Sequence, residues 1–152
     1  MITYQVERFA DTYEEALPLL CAHWEEVGVN KEAVPFDPDV KGYLELEQLG
    51  MFHVVTARER GRLVGYHASL VKTHLHYNST LVAFTDIYYL DPVQRAKPRA
   101  ALRLFQATEK TLRQRGVRLI ISTTKIHLDK SKLFSYLGYQ ETDRVFMKVL
   151  EE

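Results

Sequence analysis

Apolar and polar residues alternate from Ile2 to Arg8, the period of a strand with one buried face. The spacing then changes. Tyr13, Ala16, Leu17, Leu20, Trp24 and Val27 recur at helical intervals. A Thr12-x-x-Glu15 capping box opens this helix and Gly28 stops it. Pro18 falls inside the pattern and predicts a kink. Residues 28–38, with Pro35 and Pro38, read as a loop. A second helix starts at Asp37 or Asp39, runs through Tyr43, Leu44, Leu46 and Leu49, and ends at Gly50.

Three strands follow: Phe52 to Arg58, Leu63 to His76, and Thr80 to Leu90. Arg60-Gly61 and Asn78-Ser79 are the turns between them. A basic turn, Gln94-Arg95-Ala96-Lys97-Pro98-Arg99, leads into a helix from Ala100 to Arg115. That helix carries Ala101, Leu104, Phe105, Thr108 and Leu112 on one face and ends at Gly116. Arg118 to Thr123 is an apolar strand, and Asp129 or Ser131 to Leu137 is a short helix stopped by Gly138. Thr142 to Leu150 reads as a last strand. The order β-α-α-β-β-β-α-β-α-β predicts an α+β fold with α/β-type layers: a mixed, mostly antiparallel sheet with helices on both faces. The crossover between the strands ending at Leu90 and starting at Arg118 is expected to be parallel and right-handed.

With 152 residues, the chain is read as one domain, 1–152. No apolar run approaches membrane-span length, and Met1-Ile2-Thr3-Tyr4-Gln5 lacks a signal pattern, so a cytoplasmic protein without a membrane partner is expected. One cysteine, Cys21, excludes an internal disulfide, and its place beside an apolar stripe reads as a buried structural thiol. Formal charge sums to zero but is uneven. Residues 1–50 hold eleven acids and three bases, whereas residues 95–118 hold eight bases and one acid. The basic end suits a polyphosphate and the acidic end a cationic acceptor. No nucleic-acid motif accompanies the basic stretch, so nucleic acid is not an expected partner.

The candidate chemistry starts with Asp86 to Arg118. A strand that passes through a basic turn into a helix start gathers backbone N–H groups and the positive helix end at one point, where a phosphate can sit. A phosphorylated cofactor is the ligand this predicts. His74-x-His76 would share a strand face, but no further ligand follows at metal spacing, and no metal is expected. His23 and Trp24 lie on the first helix, and Trp24 fits its apolar stripe as a core residue.

This order of elements resembles the GNAT superfamily of acetyl-CoA-dependent N-acyltransferases over essentially the whole chain, and within it a compact type met in phage genomes. The residues that carry the resemblance are His23-Trp24-Glu25-Glu26, Arg62-Leu63-Val64-Gly65-Tyr66, His74-Leu75-His76-Tyr77-x-Ser79, Tyr89-Leu90-x-Pro92-x-x-Arg95 and Leu133-Phe134-x-x-Leu137-Gly138-Tyr139. The family's cofactor signature is Arg/Gln-x-x-Gly-x-Gly/Ala after a strand ending Val-x-Pro. Here Leu90-x-Pro92 is followed by Arg95-x-x-Pro98-x-Ala100, with proline in place of the central glycine.

The resemblance implies acetyl-CoA as cofactor. Its pyrophosphate would meet N–H groups around Ala96, Lys97, Arg99, Ala100 and Ala101, with charge from Arg95, Lys97 and Arg99. Tyr89 and Leu90 would border the pantetheine arm, and His127 would lie near it or cap the short helix. Asp86 matches the family's carboxylate base, and the Leu90 N–H would serve the oxyanion. The usual tyrosine acid is replaced by Phe134, leaving Tyr136 or Tyr139 as substitutes. The reading is therefore an N-acetyltransferase that works by direct attack of an amine in a ternary complex, the amine belonging to a small molecule or a protein, with a homodimer left open. Its rivals are a catalytically silent scaffold used for binding or phage assembly, and a CoA-binding regulatory module.

Overall fold

The computed structural model describes residues 1–150. Five strands form one sheet in the order β1-β2-β3-β4-β5: β1 (Ile2–Val6), β2 (Phe52–Glu59), β3 (Arg62–His74), β4 (Tyr77–Leu90) and β5 (Leu119–Ile121). The first four pair antiparallel, and β4 pairs parallel with β5. The helices are α1 (Phe9–Val27), α2 (Val40–Gln48), α3 (Pro92–Arg95), α4 (Ala100–Gln114) and α5 (Ser131–Tyr136).

The two-residue period of the strands assigns each face its helices. Val55, Ala57, Val64 and Leu90 pack against Ala100 and Leu104 of α4. Phe52, Val54 and Ala68 face the other way and pack against Phe9 of α1 and Tyr43 and Leu46 of α2. β2 is thus covered on both sides, which is why Phe52 to Ala57 is buried without a break. Two devices join α1 to its neighbours. The Glu47 carboxylate of α2 accepts the N–H groups of Phe9 and Ala10, capping α1 from another helix. Arg58 binds Glu7 at 2.7 Å and Glu15 at 2.9 Å, and donates to the Gly61 carbonyl at 2.8 Å.

The structure differs from the sequence reading in several places. Helix α1 starts three residues before the expected capping box, and the Thr12 hydroxyl donates back to the Arg8 carbonyl at 2.9 Å. The β3–β4 hairpin turns at Leu75-His76, since His74 pairs with Tyr77, not at Asn78-Ser79. Pro92–Arg95 forms a short helix where a plain turn was expected. Cys21 is exposed, not buried. The expected strand at Thr142–Leu150 pairs with nothing among the described residues, and Phe146 is 89% exposed. Strand propensity is satisfied only by a partner edge, and β5 offers just three residues.

Three histidines are core residues. His67 is fully buried, edge-on to Phe105 at 5.0 Å between ring centres. Burial pushes its pKa down to about 3. His53 is lowered to about 4 by burial and by the Arg115 guanidinium, which donates to its Nδ1 at 3.3 Å. Its Nε2 therefore carries the proton and donates to Thr111 at 2.9 Å. His23 is likewise lowered to about 4 by burial.

Gly65 is required by a close approach. A Cβ there would lie 2.6 Å from Leu90 Cδ1 and 2.6 Å from the Tyr89 carbonyl oxygen. Gly65→Ala should destabilise the fold by about 1–3 kcal/mol in urea unfolding and displace the Leu90 backbone; an unchanged midpoint would contradict this packing. The neutral histidines predict a second effect. The unfolded chain binds protons on them near pH 6.5 and the folded chain does not, so stability is present above that pH and is lost as pH falls toward 4. The slope should reach about 1.4 kcal/mol per pH unit for each histidine involved, and His67→Gln should flatten it.

Candidate active site

The site begins with a mismatch in the β3–β4 ladder. Ala68 pairs with Ile87 and Ser69 with Thr85, so Asp86 is an extra residue on β4, a β-bulge. A regular strand would send Asp86 and Ile87 to opposite faces. The bulge sends both toward α2, where the Tyr43 hydroxyl donates to Asp86 Oδ2 at 2.7 Å and Ile87 packs beside Tyr43. The carboxylate keeps solvent on one side, but the apolar wall behind it raises its pKa above the ordinary value, a rise only partly offset by the Tyr43 hydrogen bond.

Past the bulge, β4 loses its outer partner. β4 and β5 pair at only three rungs, Val82–Leu119, Ala83–Ile120 and Phe84–Ile121. The next link is made by side chains, Thr85 Oγ1 to Ser122 Oγ at 2.6 Å. Farther along, Tyr88 reaches across with its whole ring to donate to the Thr123 carbonyl at 3.0 Å. The β4–β5 ladder ends at Phe84, so residues 86–90 of β4 have no strand partner on that edge among the described residues, and this unpaired edge is the slot beside β4. The Asp91 N–H donates to the Val64 carbonyl at 2.8 Å, and Leu90 lies opposite Gly65. Antiparallel alternation therefore turns the N–H and C=O of Leu90 and Tyr88 away from β3 and into the slot.

The basic turn stands at the end of this slot. Its cations divide into two groups. Arg95 holds Glu26 of α1 in a two-point pair at 2.6 and 2.9 Å and lies over the Tyr89 ring, and Lys97 is paired with Glu59. These pairs lower the Glu26 and Glu59 carboxyls below the usual range. Arg99 and Arg103 form no ion pair among the described residues. The backbone donors divide in the same way. The N–H groups of Ala96, Lys97 and Ala100 are used on the carbonyls of Pro92, Gln94 and Lys97. Those of Arg99, Ala101 and Leu102 have no protein acceptor among the described residues. Arg99 sits at the start of α4 with φ +62°, a left-handed conformation that aims these donors outward at the positive end of a 15-residue helix.

Of the other sequence candidates, His127 contacts the Glu26 carbonyl through Nε2 at 2.9 Å. Phe134 is buried between Phe105 and Tyr139, Tyr139 is half-buried beside it, and Tyr136 is exposed. Trp24 stacks on Phe36. His23 is buried, with Nδ1 2.9 Å from the Tyr66 hydroxyl and its ring 5.0 Å from Tyr89. Sequence reasoning missed Tyr43, Tyr88, Leu102 and Arg103. Arg103, one helical turn after Arg99 on the same face, could have been found from its spacing; Tyr43 and Tyr88 could not, because their partners are distant in the chain.

No family model matches the chain, and no curated relative matches it. Solved structures do. An aminoglycoside acetyltransferase from an uncultured soil metagenomic sample, in complex with sisomicin, superposes with a TM-score of 0.74 at 16% identity, over 99% of this chain and 97% of the other. The ribosomal-protein-alanine N-acetyltransferase of Brucella melitensis biovar Abortus 2308 gives 0.70 at 16% identity, over 99% and 100%. The aminoglycoside N-acetyltransferase AAC(6')-Iy in complex with CoA gives 0.70 at 17%, over 98% and 99%. The likeness runs from end to end in all three, and the chain has the fold of the GNAT acetyltransferases.

Proposed function

We propose that this protein is an acetyl-CoA-dependent N-acetyltransferase that moves the acetyl group to an amine by direct attack in a ternary complex. The observation that carries this is the slot beside β4, with the Leu90 N–H directed into it and the free donors of α4 at its end. Bound there, the cofactor supplies an activated thioester. Arg99, Ala101 and Leu102 offer backbone donors for its pyrophosphate, and the Arg99 and Arg103 side chains offer charge. Pro98 removes one donor from the turn without obstructing the three that follow. Arg95 and Lys97 support the turn through Glu26 and Glu59.

Leu90 N–H donates to the acyl oxygen as it gains negative charge. Tyr88, held by Thr123 and with its pKa raised by burial, stays protonated and is the phenol in the slot able to give a proton to the departing sulfur. An amine of pKa about 10.4 must lose a proton before it attacks. Asp86 takes that proton. It lies four residues before Leu90, about 13 Å along a strand, so the transfer runs through water.

A binding-only scaffold is the second reading, favoured by Phe134, which leaves an apolar ring at the usual acid position. Thiol release from acetyl-CoA with an amine panel separates the two. The panel should include sisomicin, an alanine-terminated peptide, and alkyl and aryl amines. The wild type should turn over at least one amine. Its rate should rise with pH through an Asp86 pKa above the ordinary carboxylate value, because only the ionised form accepts a proton. Asp86→Asn should cost about 100-fold in kcat and abolish that limb. Full activity with the limb intact would remove Asp86 as the base; absence of both turnover and acetyl-CoA binding would leave the scaffold reading.

A further inference from the structure

A cavity of about 150 Å³ lies between α1, α2 and the sheet. Ala16, Leu20 and Trp24 of α1, Phe36 of the following loop, Tyr43 of α2 and Ile87 of β4 form its apolar wall. Most polar groups in the wall are bonded within the protein, whereas the Tyr13 hydroxyl and His23 Nε2 have no hydrogen-bond partner among the described residues. His23 is bonded to Tyr66 at 2.9 Å, the Thr12 hydroxyl to the Arg8 carbonyl at 2.9 Å, and the Thr56 hydroxyl to Glu7. Tyr43 differs, because its ring lines the cavity while its hydroxyl leads out to Asp86 at 2.7 Å. Two residues of the wall adjoin the proposed transfer point. His23 stacks on Tyr89, the residue before Leu90, and Ile87 lies between Leu90 and the bulge.

An apolar space of about 150 Å³ is large enough for a benzene-sized group. It is a poor host for a hydroxyl-rich acceptor, which would give up its many water hydrogen bonds for the few polar atoms that this wall leaves free. The Asp86 carboxylate, which forms no ion pair among the described residues and is reached from the cavity through Tyr43, suits an ammonium group.

We propose that this cavity is the acceptor pocket, and that the acceptor is a primary amine joined by a short linker to one benzene-sized apolar group, with the amine directed out of the cavity between Asp86 and Leu90. The proposal rests on the acetyltransferase reading for its chemistry and on the cavity alone for its ligand. In the transfer, Asp86 takes one proton from the ammonium through water, and the amine nitrogen then bonds to the acyl carbon. The carbon–sulfur bond breaks, the thiolate leaves, and it takes up the second proton.

The probes are 2-phenylethylamine and sisomicin. Each is titrated into the full chain by calorimetry and offered as acceptor with acetyl-CoA, using wild type, Ala16→Phe and Leu20→Phe; two filling variants guard against one that fails to fold. The expected result is saturable 2-phenylethylamine binding, kcat/KM at least about tenfold above that for sisomicin, and at least about tenfold loss in the filled variants. Acetyl-CoA binding should be unchanged in those variants. Preference for sisomicin, or 2-phenylethylamine binding that survives both fillings, would overturn the pocket assignment and leave the transferase reading standing. No saturable 2-phenylethylamine binding in the wild type would overturn it as well. Amine binding that is lost on filling, in a protein that neither binds nor consumes acetyl-CoA, would uphold the pocket and reject the transferase.

Discussion

Everything functional in this molecule depends on β4 being paired on both edges for only three residues. From Val82 to Phe84 it is an interior strand; beyond Phe84, the bulge at Asp86 and the end of pairing with β5 change what the strand presents. One extra residue directs a carboxylate toward α2, and a few residues later the backbone of Tyr88 and Leu90 faces a slot where a neighbouring strand would otherwise be. Buried backbone donors need partners, and a central strand held open this way is shaped to give them to a ligand. Gly65 keeps the other edge closed tightly against Leu90, so the N–H that faces the slot is rigidly placed. The bulge and the glycine together hold the Asp86 carboxylate and the Leu90 N–H on one stiff element.

Charge is used in the same economical way. The acidic first third and the basic stretch after Arg95 look in the sequence like two opposed surfaces. In the fold one pair joins the two stretches directly, Glu26 with Arg95, and other charges in them pair with residues of the β2–β3 hairpin. Glu26 takes Arg95, Glu59 takes Lys97, and Glu7 with Glu15 takes Arg58. These pairs fasten α1 and β2 to the basic turn and to the hairpin beside it. What is left for a ligand is smaller and more specific: Arg99, Arg103 and three backbone donors at the start of α4, and Asp86, reached from an apolar cavity through Tyr43. A polycationic partner would find few free carboxylates in that cavity.

Local signals in the sequence reach some of these features and not others. The strand to Leu90, the basic turn and the amphipathic helix from Ala100 are readable because each rests on its own spacing, and they locate Asp86 and Leu90. The bulge is not readable, since it is a property of the pairing with β3. Tyr43 is not readable as the partner of Asp86, because 43 residues separate them. Arg95 looked like a phosphate ligand because its partner, Glu26, lies 69 residues away. The Thr142–Leu150 segment shows the opposite failure: its residues favour a strand, but no edge in the fold receives it.

The account stands most directly on where acetyl-CoA touches the backbone. Titrating acetyl-CoA into the ¹⁵N-labelled chain and following the amide resonances tests this residue by residue. The prediction is that Tyr88, Leu90, Arg99, Ala101 and Leu102 shift together and saturably, while Ala96, Lys97 and Ala100, whose N–H groups are already used, shift less. Saturable shifts confined to other parts of the chain, or none at millimolar cofactor, would contradict the slot beside β4 as a cofactor site.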